Sequence, residues 1–231
     1  MSKKQNIRTL FNNIANRYDF LNHLLSLNID KLWRKKAISF IKPNNKEYVL
    51  DAASGTGDFA FMEYKYGVKK VLGIDISENM LDIARQKAEK NNIPKESVDF
   101  VVGDSENLAF ENNTFTAATV AFGVRNFENL KQGLKEIYRV LNENGQVIIL
   151  EFSQPDKFPV KQLYGFYFKY ILPNIGGLIS GNKPAYKYLH DSVFAFPQSH
   201  DFLNIMNEAG FKNTWQKRVS FGIATIYVGE K

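Results

Sequence analysis

The chain has 231 residues and no cysteine, which excludes disulfides, thiolate nucleophiles and sulfur-ligated metals. At 44% hydrophobic and 23% charged, without low-complexity tracts or repeats, it is long enough to bury its own core, and the whole of 1–231 reads as one domain. The formal charge of +6 could suggest nucleic acid, but it is spread along the chain and not gathered in a stripe and suits an anionic membrane surface equally well, so no nucleic-acid partner is expected.

The first residues, Met1 to Asn6, carry charge but lead into no apolar run with a cleavage site, so no secretory signal is read there and the expected location is the cytoplasm. Residues 5–41 are helical, with Phe11, Ile14, Tyr18, Leu21 and Leu25 on one side, and form an N-terminal cap. From 47 to 152, β-branched runs alternate with helical patterns, the signal for a parallel sheet covered on both faces. Strands are predicted at 47–53, 69–75, 98–102, 115–122 and 145–152, and helices at 57–66, 78–91 and 128–141. The last helix carries an apolar stripe, Leu130, Leu134, Ile137, Tyr138 and Leu141, and stops before the turn signal Asn144-Gly145.

An aromatic-rich insertion, 153–197, interrupts the repeat and, with the cap, is the candidate substrate cover. A helix near 199–209 precedes Gly210, and strand-like runs at 212–219 and 222–229 close the chain as an antiparallel hairpin. The fold class is therefore α/β: a doubly wound, mostly parallel sheet of about seven strands. The histidines His23, His190 and His200 show no ligand spacing, so no metal is expected.

Ligands of open α/β sheets sit at the carboxyl ends of the strands where the strand order switches. The first strand ends at Asp51 and leads into Gly55-Thr56-Gly57-Asp58, where the glycines permit a tight turn and close backbone approach to a ligand. Gly55 to Ala60 also satisfies the dinucleotide pattern G-x-G-x-x-G/A, which makes a nicotinamide-dependent reductase the first rival. Carboxylates at Asp51 and Asp58 would repel a pyrophosphate and suit a cationic aminoacyl-sulfonium ligand. Asp75, followed by Ile76, ends the second strand where an acid can accept both ribose hydroxyls; it fits either cofactor. Ser77 reads as a helix N-cap. Asp104 ends the third strand, placed to accept from an adenine amine, with the backbone of Ser105 at the ring edge.

The segments Phe11-Asn12-Asn13-Ile14-Ala15-Asn16-Arg17-Tyr18-Asp19, Leu32-Trp33-Arg34, Gly55-Thr56-Gly57-Asp58, Phe122-Gly123-Val124-Arg125-Asn126 and Leu150-Glu151-Phe152-Ser153 extend over nearly the whole chain. In them the chain resembles the bacterial ubiquinone/menaquinone biosynthesis C-methyltransferases. The cofactor loop is common to many methyltransferases; the Arg-Tyr-Asp, Phe-Gly-x-Arg-Asn and Leu-Glu-Phe-Ser segments are particular to this family. The resemblance implies the class I, Rossmann-like fold, S-adenosyl-L-methionine as cofactor, contacts to it at Thr56, Asp75, Asp104 and Ser105, and a polyprenyl quinol as substrate. Two departures stand out: Ala121 where the family often has Ser, and Tyr227 where many members carry His.

Carbon methylation of a quinol needs an electron-rich ring carbon, so the substrate should be the reduced quinol, with its phenolate steadied and a proton removed. Arg125 is the first choice to stabilise the phenolate oxygen, with Asn126 orienting it, and His190, Asp19 and Tyr18 are the candidate bases. Demethylmenaquinol is favoured and a polyprenyl benzoquinol is the alternative; a non-catalytic RNA-binding module is a third reading. Leu163 to Leu172 is aromatic, interrupted and too short to cross a bilayer, and Lys161, Lys169, Lys183 and Lys187 flank it as interfacial anchors would. Transient contact with the inner face of the cytoplasmic membrane is expected, and a homodimer is one option for the assembly.

Overall fold

The computed structural model describes residues 3–167, 170 and 183–231. Five strands run parallel: β1 (Tyr48–Ala52), β2 (Lys70–Asp75), β3 (Val98–Val102), β4 (Phe115–Ala121) and β5 (Leu141–Phe152). The last two, β6 (Lys212–Val219) and β7 (Ala224–Glu230), pair antiparallel, β7 lying between β5 and β6, and the sheet order is β3-β2-β1-β4-β5-β7-β6. This is the doubly wound α/β sheet with an antiparallel closing hairpin that the sequence predicts.

The inner strands are apolar almost throughout because both faces are covered. Alternate residues face opposite ways: Leu50, Ala118, Val147 and Ile149 meet α5 (Leu130–Val140) and α8 (His200–Glu208) through Leu134, Ile137, Phe202 and Met206. Val49, Val71, Ala117 and Ile148 meet α2 (Ile29–Ile38), α3 (Asp58–Lys65) and α4 (Glu78–Lys90) through Trp33, Ile38, Phe59 and Leu81. The strand order reverses between β1 and β4, so the crevice for a ligand opens at their carboxyl ends.

Three boundaries differ from the sequence reading. The cap is two helices, α1 (Lys3–Leu25) and α2, because Leu27 and Asn28 take left-handed conformations, φ 52° and 60°. β5 starts directly where α5 ends, and Asn144, at φ 64°, sits in an irregular stretch of the β4–β5 pairing instead of a separate turn. β7 starts later than predicted because Ser220, Phe221 and Gly222 all have positive φ and form a short 3-10 turn.

Within the insertion, α6 (Val160–Phe166) and α7 (Lys183–Ala195) form a small apolar cluster, Tyr164 and Val193 packing with Leu10, Ile14 and Phe152. The side chains of Leu21, Leu25 and Lys183, and Phe168, Lys169, Ile171 and Leu172 of the aromatic run, lie outside the described residues. Among the described residues no helix is long and apolar enough to cross a membrane.

Candidate active site

The carboxyl ends of β1 and β4 meet closely. Ala53 and Phe122, the residues just beyond them, both have left-handed backbones, φ 56° and 59°, an unusual state that clusters at functional sites. A Cβ on Gly123 would lie 2.5 Å from the Cβ of Ala53, so only glycine lets the two loops touch. On the neighbouring loop Gly57 has φ 81°, and a Cβ there would meet the Phe100 ring at 2.7 Å. Above these ends lies a cleft. Gly55, Asp75, Ile76, Asp104, Ser105 and Asn126 line it, and α1 covers it with Lys4, Ile7, Phe11 and Tyr18.

Asp75 is held rigidly. Its two oxygens accept from the backbone N–H of Gly55 and of Ser77, each at 2.9 Å, while burial pushes its carboxyl above the ordinary range against those hydrogen bonds. Ser77 also caps α4 by accepting from Met80 N. Asp104 accepts from the Glu106 N–H at 2.9 Å through one oxygen and from Lys4 Nζ at 2.6 Å through the other, so an amine donor already faces it from α1.

Asp51, Thr56 and Gly57 do not line the cleft but hold the loop beneath it. Asp51 is buried, accepts from Ser54 Oγ at 2.7 Å, and is pushed up to about 7 chiefly by burial, with the Ser54 hydrogen bond and the Arg34 charge opposing. Glu63, fully buried on α3, is raised well above the carboxylate range by burial and by the charge of Asp51. Thr56 donates to Asp19, whose other oxygen pairs with Lys87 at 2.5 Å. Asp58 pairs with Lys87 at 2.7 Å and with His23 Nε2 at 3.1 Å; burial would raise its carboxyl, but His23 and Lys87 outweigh burial and hold it low. Asp58 is therefore engaged with α1 and α4.

The five candidates for the chemistry fall in different places. Tyr18 and Asn126 line the cleft. Asn126 Oδ1 accepts from Tyr188 OH of α7 at 2.9 Å, which leaves its amide N–H groups for the cleft. Arg125 does not line the cleft: its Nη1 donates to Glu151 Oε1 at 2.6 Å and to the Phe122 carbonyl, and its guanidinium lies 5.5 Å from the Phe152 ring centroid. Asp19 is spent on Thr56 and Lys87, and His190, stacked on Phe194 and paired with Asp191 at 3.0 Å, is outside the cleft lining. Of the two family departures, Ala121 lines the cleft, whereas Tyr227 is a core residue, buried against Phe202, whose hydroxyl accepts from the Ser199 N–H at 3.1 Å.

Glu151, Tyr188 and Glu63 are the polar groups the sequence reading assigned no role. Glu151 had a signal, since it closes the fifth parallel strand as Asp51, Asp75 and Asp104 close or follow the first three. Tyr188 and Glu63 carried none, because only long-range packing brings them to the site.

A profile described as the ubiE/COQ5 methyltransferase family matches residues 1–231. The demethylmenaquinone methyltransferase of Bacteroides fragilis is 43% identical over 230 residues, covering 99% of this chain and 94% of that protein. The ubiquinone/menaquinone biosynthesis C-methyltransferase UbiE of Geobacter sulfurreducens is 42% identical over 231 residues, covering 99% and 90%. Among solved structures, a possible histamine N-methyltransferase of Thermotoga maritima, dependent on S-adenosylmethionine, superposes with a TM-score of 0.69 at 19% identity, covering 97% of this chain and 99% of that one, a likeness of fold.

Proposed function

Because the chain belongs to the ubiE/COQ5 methyltransferase family, we propose that it methylates a ring carbon of demethylmenaquinol, a polyprenyl naphthoquinol, to give menaquinol. The observation that carries this reading is the cleft itself: a rigid carboxylate, Asp75, on one side, and on the other Asn126, whose amide N–H groups are left to the cleft beneath a cover of aromatic helices. S-adenosyl-L-methionine, the cofactor of the family, supplies the methyl group as an electrophile when bound. The donor set fits it: Asp75 offers two acceptors for a ribose, Asp104 an acceptor for an amine, and Gly55 an open backbone.

On the substrate side Asn126 offers a hydrogen-bond donor to a quinol oxygen, and Arg125 behind it supplies positive charge to steady that oxygen as it loses its proton. Tyr18, lining the cleft opposite, is the candidate to pass the proton on. The naphthoquinol is favoured by the names of the Bacteroides fragilis and Porphyromonas gingivalis relatives; the benzoquinol remains a second substrate because UbiE relatives of equal identity are named for both pathways.

α6 and the loop before it expose Phe158, Leu163 and Phe166 beside Lys157 and Lys161, a composition suited to resting on an anionic membrane surface from which a prenyl tail would be taken up. The test is incubation with methyl-labelled S-adenosylmethionine and either reduced demethylmenaquinol or a reduced demethyl benzoquinol, with mass spectrometry of the lipid extract. Label on the naphthoquinol ring carbon is expected; label only on the benzoquinol would move the reading to ubiquinone synthesis, and label on neither would overturn it.

A further inference from the structure

We propose that Glu151 is a positioning residue of the methyl-transfer site, locking the turn that carries Arg125 and Asn126 so that the Asn126 donor in the cleft and the Arg125 charge behind it hold a fixed place. This rests on the quinol-methylation reading above. Glu151 stands at the carboxyl end of β5 with no exposure to solvent. Every hydrogen bond it makes goes to that turn or to its own strand end. Oε1 accepts from Arg125 Nη1 at 2.6 Å and from the Phe152 N–H at 2.8 Å, and Oε2 accepts from the Arg125 backbone N–H at 3.3 Å. One carboxylate thus fixes both the main chain and the side chain of Arg125.

The next residue, Asn126, is the member of the turn that lines the cleft, and it is pinned from the opposite side by Tyr188. The turn is therefore clamped between a strand of the sheet and a helix of the covering insertion. A buried ion pair is an expensive way to gain stability, since apolar residues of equal volume serve as well or better. This pair carries an additional cost: Arg125 Nε is buried and has no hydrogen-bond partner among the described residues. A guanidinium fixed behind the cleft wall, next to an amide donor that lines the cleft, supplies charge toward an oxygen that becomes anionic. Burial raises the Glu151 carboxyl, and the adjacent Arg125 charge opposes that rise.

Glu151→Gln keeps the size and one acceptor but loses the charge that orients Arg125. Displacing a positioned group by about 1 Å costs on the order of 10²-fold in rate. Glu151→Gln should lower kcat by about that factor, with KM for the quinol and the dissociation constant of the cofactor within about threefold of the parent, whereas Glu151→Asp should restore about a tenth of the parent kcat. The neutral pair Arg125→Gln with Glu151→Gln leaves no unpaired buried charge, so it folds even where Glu151→Gln alone does not. Its kcat should be no lower than that of Arg125→Gln alone. Parent-like kcat in Glu151→Gln, failure of the aspartate to rescue, or losses that multiply in the double variant would each overturn the proposal.

If the parent protein labels neither quinol, the functional reading fails, and the positioning is then decided by NMR of the arginine Nε–H resonances. The Arg125 signal, assigned by its disappearance in Arg125→Lys, should exchange slowly in the parent and in Glu151→Asp and rapidly in Glu151→Gln. Equal exchange in all three would overturn it.

Discussion

The two walls of the cleft are built in different ways. The cofactor wall consists of strand ends and the loops that follow them, and its key contacts are short in sequence or made by main chain: Asp75 accepts from Gly55 and Ser77, and Asp51 from Ser54. The proposed substrate wall rests on side chains that meet across the fold: Arg125 with Glu151, and Asn126 with Tyr188. A wall made by backbone at a switch point recurs wherever that topology recurs, and it binds what many enzymes share. A wall made by paired side chains can be changed two residues at a time, and in the proposed reading it sets the choice of acceptor. Substitutions on the first wall should therefore act on cofactor affinity for any acceptor, and substitutions on the second should act on turnover or on the choice of quinol.

The largest separation between the walls should come from Asp75→Asn. In the proposed reading it removes the charge behind two hydrogen bonds to a cofactor ribose, each worth about 1.5–3 kcal/mol when the acceptor is ionised. The asparagine keeps one acceptor, so cofactor affinity should fall by about a hundredfold. Titration calorimetry with S-adenosylhomocysteine reads this directly. The loss should be the same with and without quinol; a loss that appears only with quinol present would mean that Asp75 serves the substrate and that the walls are not separate.

A smaller effect, of opposite character, is expected from Phe166→Ser on α6. Phe166 is 57% exposed, so its removal costs little stability, but it takes away apolar surface where a tail would be taken up. Turnover of a long-tailed quinol should drop by roughly tenfold, comparable to the loss of one buried aromatic contact, while a short-tailed quinol and cofactor binding are unaffected. Equal loss on both tails would assign Phe166 to the ring site.

The contrast between the walls also explains what was legible in the sequence. All seven strands, the central helices and the order of the acids along the cofactor wall follow from apolar periodicity and from glycine and aspartate at strand ends, which are local signals. The covering elements were legible as helical and aromatic but not as geometry. Nothing local marks Leu27 and Asn28 as the break between α1 and α2, and Asp19, a reasonable base by position, is instead consumed by Thr56 and Lys87 across the fold. Asp51 was placed correctly at the end of β1, yet its burial beneath the loop depends on Arg34, Thr119 and Glu63 from three other elements.

That burial gives the smallest prediction and the one with two signs. Burial pushes the Asp51 carboxyl up to about 7 in the folded chain from about 3.9 in the unfolded one, so its neutral form is the one folding favours. The stability it contributes is complete below about pH 4 and is lost as pH rises through about 7. A cationic cofactor above the loop favours the ionised form instead, so its affinity should tighten over the same window. Between pH 6 and pH 8 the ionised fraction rises by about tenfold, which is the ceiling for the gain in affinity. His23 is also raised, chiefly by its hydrogen bond to Asp58, and its contribution to stability falls with rising pH in the same direction, so the parent protein alone cannot separate the two. Asp51→Asn does: it should flatten the pH dependence of cofactor affinity, leaving in the melting temperature the slopes that His23 and the other raised buried acids, Glu63 among them, supply. A variant whose affinity still tightens with pH as the parent's does would show that the charge felt by the cofactor comes from the acids lining the cleft and not from the one beneath it.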